Sequence, residues 1–170
     1  DHHYTEEIQT REYRSPEAIL GCPYDTSADI WSAACLIFEL VCGDYLFYPE
    51  ANEYEKYDTD DDHIAKMIEI LGAIPSKLFR DGRRYYDIFD QKGRLLKIKS
   101  LSPVTLVELL MDIGGLPEIE AREMSEFLTS MLQYDIRDRA TADECLKSNW
   151  LTLCEMRGTK PKRRARSESI

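Results

Sequence analysis

Carboxylates and guanidiniums, rather than nucleophiles, are the groups whose placement in this sequence suggests chemistry. Glu17 follows Pro16 in "REYRSPEAIL", Arg11 to Leu20, directly ahead of an apolar run. A carboxylate there either opens a helix, where it meets the positive end of the dipole, or holds part of a site together. Asp62 and Glu69 lie seven residues apart in "DDDHIAKMIE", two helical turns, so both face one side of a helix. Carboxylates so spaced can take the guanidinium forks of an extended basic peptide. Equally, they can form a solvated face with Asp62 as its cap. His2, His3 and His63 are too scattered to suggest a metal, and Cys22, Cys35, Cys42, Cys145 and Cys154 form no CxxC pair or zinc spacing.

The charge balance narrows the partners. Residues 157–170 hold six Lys/Arg and one acid, so this tail carries +5 and the body −15 of the net −10. An acidic body repels nucleic acid and attracts basic partners. The tail "RGTKPKRRARSESI" lacks core residues and is expected to be disordered; its basic cluster either addresses the chain to the nucleus or serves as a solubilising end. With 43% hydrophobic and 32% charged residues the composition is that of a globular domain, and no run approaches a membrane span. The odd cysteine count and the lack of a secretory signal point to a reducing compartment. The sequence opens on Asp1, which reads as a piece of a longer protein.

Helices must position these groups. "TSADIWSAACLIFELVCG" has Ser27 as N-cap, Asp29 in the first turn and Gly43 as stop, with apolar residues on more than one face, so burial nearly all round is expected. "DDHIAKMIEILG" starts near Asp62 and ends at Gly72; "SPVTLVELLMDIGG" and "EIEAREMSEFLTSML" are amphipathic. Thr141 and Glu144 form a capping-box pattern. "YPEANEYEKYDTDD" and "RDGRRYYDIFDQKGRLLKIKS" read as connectors, the second with at most a small hairpin at Lys92-Gly93.

Three motifs in order carry a resemblance. "TREYRSPE" resembles the end of a protein-kinase activation segment, with Ser15-Pro16-Glu17 at the A-P-E position; "ADIW" (Ala28–Trp31) and "RDRAT" (Arg137–Thr141) follow as kinases require. "EEIQTREYRSPEAILG", "GDYLF" and "RATADECLKSNWL" are similar to the SR-protein kinase family, whose members phosphorylate serines in arginine–serine repeats of splicing factors. The sequence contains no Gly-rich loop, strand lysine, HRD-type loop or DFG aspartate. The resemblance therefore implies a mostly α fold, the C-terminal lobe of the eukaryotic protein-kinase fold with N-lobe and catalytic loop absent. It implies an activation-segment end at 1–18, a helical core at 19–151 with an insert at about 44–104, and a basic tail at 152–170. A second reading, from another class, is a catalytically inactive module that binds basic peptides or regulates a kinase.

Residue roles follow from the same resemblance. Glu17 is expected to pair with Arg139, and Asp29 to accept amides of a catalytic loop. Gln9, Thr10 and Arg11 are expected near the substrate serine, and Asp44, Asp62 and Glu69 in a groove for arginine-rich peptide. Ile113 stands where the family typically has a lysine beside that groove. Parent activity would need ATP and Mg2+, which the chain alone is not expected to bind; no metal or catalytic residue is assigned within it. The implied partners are Arg/Ser-rich splicing factors and a missing N-terminal kinase half, with no direct nucleic acid or membrane. The implied location is cytoplasmic and nuclear.

Overall fold

The structure, a computed structural model, describes residues 8–156, with side chains to Thr152. A 3₁₀ turn at Arg11–Tyr13 leads into α1 (Pro16–Leu20), α2 (Ser27–Cys42) and α3 (Thr59–Leu71). Two single-turn helices, α4 (Ser76–Phe79) and α5 (Tyr85–Ile88), precede α6 (Leu106–Asp112), α7 (Glu118–Met131), α8 (Ala142–Leu146) and α9 (Asn149–Met156). Among the described residues, β structure is limited to two isolated bridges, Asn52–Tyr57 and Phe89–Leu95. Among the described residues no helix is long and apolar enough to cross a membrane. Helicity of this kind reports how each segment buries its apolar stripe; it does not by itself identify a kinase lobe.

Helix α2 forms the centre. Ala28, Trp31, Ala34, Cys35 and Phe38 recur at helical spacing and are buried. Expectation of burial all round is corrected here: Leu36, Val41 and Leu40 lie exposed, the last at 76%. The stripe facing the core is as wide as the neighbouring elements can cover, and no more. Asp25 accepts the Ser27 amide at 2.8 Å and Thr26 holds the N-cap, one position before the expected Ser27. At the other end Gly43 adopts φ +75° and donates to Glu39 O at 2.7 Å, a left-handed stop that a side chain would strain.

Helix α3 starts earlier than Asp62. Asp58 is its N-cap, accepting from the amides of Asp60 and Asp61, while Asp61 reaches back to the Asp58 amide at 2.9 Å. Helix α6 carries the same reciprocal box between Thr105 and Glu108, and α8 between Thr141 and Glu144. The connector after α3 is more ordered than its composition implies: Phe79, Tyr85, Ile88 and Phe89 enter the core, and Tyr85 stacks on Phe89 at 4.9 Å. Residues 152–156, expected in the tail, continue α9.

Gly82 makes this connector part of the framework. A Cβ there would lie 2.5 Å from Leu20 O and 2.7 Å from Cys22 Sγ. Glycine thus lets the chain approach the end of α1, where the Arg84 and Arg83 amides bond to Leu20 O (3.0 Å) and Gly21 O (3.3 Å).

Candidate functional site

The opening segment, residues 9–20, is strapped to the first turns of α2 by side chains of both. Gln9 is the hub. Its φ of +67° turns the chain, and its Nε2 donates to Ala28 O and Ser32 Oγ, both at 2.7 Å. Its Oε1 accepts from the Ser15 amide at 2.9 Å and the Ser15 hydroxyl at 3.1 Å, and its backbone oxygen from Arg14 at 3.0 Å. Ser32 in turn donates to Tyr13 O at 2.9 Å. Tyr13 donates its hydroxyl to Glu39 at 2.6 Å, and the carboxylate bond pushes the phenol up to about 12.

Beneath this strap lies a buried charge pair. Arg139 Nη1 donates to Glu17 Oε1 at 2.7 Å and Nη2 to Glu17 Oε2 at 3.0 Å, a bidentate fork. The Arg139 Nε and Nη1 also reach Gln133 O and Ser27 O, both at 3.0 Å, and the guanidinium lies 5.1 Å from the Trp31 ring centroid. The side chains are 0% and 2% exposed. Glu17 sits in the first turn of α1, so it faces the helix dipole and bonds Arg139 at once.

A second clamp holds the outer side. Asp60, on α3, takes Arg11 on one carboxylate oxygen and Arg84 on the other. Asp60 and Arg84 escaped the sequence reading; the signal lay in a run of acids any of which could cap a helix. Asp61 binds Lys97 at 2.6 Å, and this bond raises the lysine pKa. His63 lies against Phe47, ring centroids 5.4 Å apart and planes tilted at 53°, with neither ring nitrogen partnered among the described residues. Burial, then the Arg11 guanidinium, lowers its pKa to about 3.

Thr10 and Asp29 are exposed and line a cavity of about 550 Å³ with Gln9, Tyr13 and Tyr24. The Asp29 carboxylate has no hydrogen bond or ion pair among the described residues. Each of the acids expected to dock peptide accepts a backbone amide of its own chain. Asp62 is buried, accepts the Glu50 amide at 2.8 Å and pairs with Lys66 at 3.3 Å. Glu69 accepts the Ser102 amide at 2.7 Å, and exposed Asp44 accepts the Tyr45 amide at 2.8 Å. Each therefore serves a different loop. Ile113 ends α6, 43% exposed. Among the described residues no three His, Cys, Asp or Glu are grouped to hold a metal. What the arrangement offers chemically is position: a rigid, hydrogen-bonded segment facing an open cavity.

Residues 1–151 match the protein kinase domain model. The chain belongs to the protein kinase family. This kinase sequence is 49% identical over 151 residues to the serine/threonine-protein kinase SKY1 of Saccharomyces cerevisiae, covering 89% of the chain and 20% of that protein. It is 44% identical over 149 residues to human SRSF protein kinase 3, covering 88% and 26%. It is 43% identical over 150 residues to the serine/threonine-protein kinase SRPK of Physarum polycephalum, covering 88% and 35%. The chain thus spans about a third or less of the length of these curated relatives.

The match also corrects the lobe assignment. The kinase-domain match begins at residue 1 and takes in the N-terminal part of the chain, and it does not single out a C-terminal lobe. That lobe is what the three ordered motifs imply by resemblance; the match shows the kinase domain and does not carry the finer assignment.

Proposed function

We propose that this kinase chain acts in ATP-dependent phosphorylation of serines in Arg/Ser-rich proteins such as splicing factors, as part of a larger SR-protein kinase-like enzyme. The observation that carries the reading is the sealed Glu17–Arg139 fork, which fixes the segment bearing Gln9, Thr10 and Arg11 over α2. A fixed segment of this sort can orient an extended substrate, and phosphoryl transfer depends chiefly on orientation and electrostatics. The names of the similar proteins, the −15 body and the open cavity at Thr10 and Asp29 support the same reading. ATP and Mg2+ belong to the part of the enzyme that supplies the nucleotide-binding motifs, which these 170 residues lack. Asp44, Asp62 and Glu69 remain candidates for basic-peptide contact only where a ligand competes with their present amide partners. The missing motifs favour a second reading, a catalytically inactive module that binds Arg/Ser peptide. The basic tail supports shuttling between cytoplasm and nucleus.

The test is to incubate the chain with ATP–Mg2+ and a labelled Arg/Ser octapeptide, with a scrambled acidic peptide as control. Binding of the basic peptide without phosphorylation is expected, weakened by Thr10→Lys or Asp29→Lys. Absence of binding would refute both readings, and phosphate transfer by the pure chain would refute the assignment of ATP chemistry to other residues.

A further inference from the structure

We propose that the basic segment Lys160–Arg166 of this chain docks back into a cleft formed by α7, α8 and the start of α9. The cleft holds about 630 Å³, and four acids, Glu123, Glu126, Asp138 and Glu144, line it. It is also lined by the stacked pair Phe127 and Trp150, with centroids 5.0 Å apart and planes at 16°. Among the described residues no lysine or arginine lines it. Glu144 is committed to the Thr141 cap at 2.8 Å. Glu126 and Asp138 are exposed and make no side-chain hydrogen bond or ion pair among the described residues. That sets them apart from the acids of α3: Asp60, Asp61, Asp62 and Glu69 are all held by amides or cations of their own chain.

The occupant is fixed by charge and reach. Lys160, Lys162, Arg163, Arg164 and Arg166 place five cations in seven residues. Helix α9 rises about 12 Å over its length, at about 1.5 Å per residue. Arg157 to Lys160, extended, spans about 13 Å, so the chain can double back along α9 to the cleft. A guanidinium plane laid on Trp150 with its donors toward Glu126 and Asp138 gains stacking and charge together. The inference stands apart from the substrate reading, since no residue of the opening segment takes part.

The protein carries its own reporter. Trp31 is fully buried, so acrylamide quenching of the intact chain reads Trp150. Quenching should rise when the five cations are replaced by glutamine. It should rise equally in Glu126→Lys/Asp138→Lys, two exposed substitutions, and the intact chain should show no dependence on protein concentration. Circular dichroism checks that each variant keeps its helices. Unchanged quenching in the glutamine variant would overturn the proposal. So would an effect of the glutamine variant without one from Glu126→Lys/Asp138→Lys, which places the tail elsewhere. Quenching that varies with concentration would also overturn it, in favour of a tail exchanged between copies.

Discussion

The Glu17–Arg139 fork and the Asp60 clamp tether the same stretch of chain with the same kinds of group, yet they meet water differently. In the first, the side chains are 0% and 2% exposed, and the guanidinium spends its other donors on two carbonyls. In the second, Asp60 is buried but Arg11 and Arg84 are 32% and 43% exposed. Withdrawing a partner from the sealed pair leaves a charge with no solvent to turn to. Withdrawing one from the open clamp leaves a group that water can satisfy. The same chemistry therefore fixes the floor in one place and trims the edge in the other.

Arg139→Met strikes the sealed side hardest. It strands Glu17, and urea denaturation should show a loss of about 3–5 kcal/mol. Next is Gly82→Ala, which forces the Arg83–Arg84 connector off Leu20 O; about 1–3 kcal/mol should be lost, with weaker amide protection at Arg84. Asp60→Asn tests the open clamp and should cost only about 1–2 kcal/mol, a difference that shrinks in high salt. If Asp60→Asn cost as much as Arg139→Met, the contrast in water access would be the wrong explanation.

Acid sharpens the comparison from inside. His63 faces Arg11, Asp60, Arg14 and Lys66, and its folded pKa of about 3 lies below its ordinary 6.5. The unfolded chain therefore binds the extra proton first. Stability from this group is complete above about 6.5 and is lost as pH falls towards about 3, by at most about 1.4 kcal/mol per pH unit. His63→Phe should flatten that limb relative to the parent chain in denaturant titrations at pH 4 to 7. An unaltered limb would remove His63 from the account.

Local signals were legible from residue type and spacing, whereas the long-range Glu17–Arg139 pair was legible only through the motif resemblance. The Thr141–Glu144 box and the Gly43 stop lie within one turn of the helix ends they govern, so residue type and spacing suffice. The Asp58 cap hides among Asp60, Asp61 and Asp62, and the choice depends partly on Lys97 from a distant connector. Asp60's partners lie 49 and 24 residues away, and no pattern marks them. Gln9 is placed beside the substrate by resemblance alone, and no pattern in the sequence marks the bonds of its side chain to Ala28, Ser32 and Ser15. The lobe assignment failed for another reason: it rested on three short motifs, which mark the family without fixing the lobe.

The central claim is that Glu17 and Arg139 act as one unit holding the opening segment to the floor. A double-mutant cycle with Glu17→Leu, Arg139→Met and the pair tests it most directly. The account predicts that the pair costs no more than either single change, a coupling of about 2–3 kcal/mol or more. Losses that add to within about 0.5 kcal/mol would contradict it.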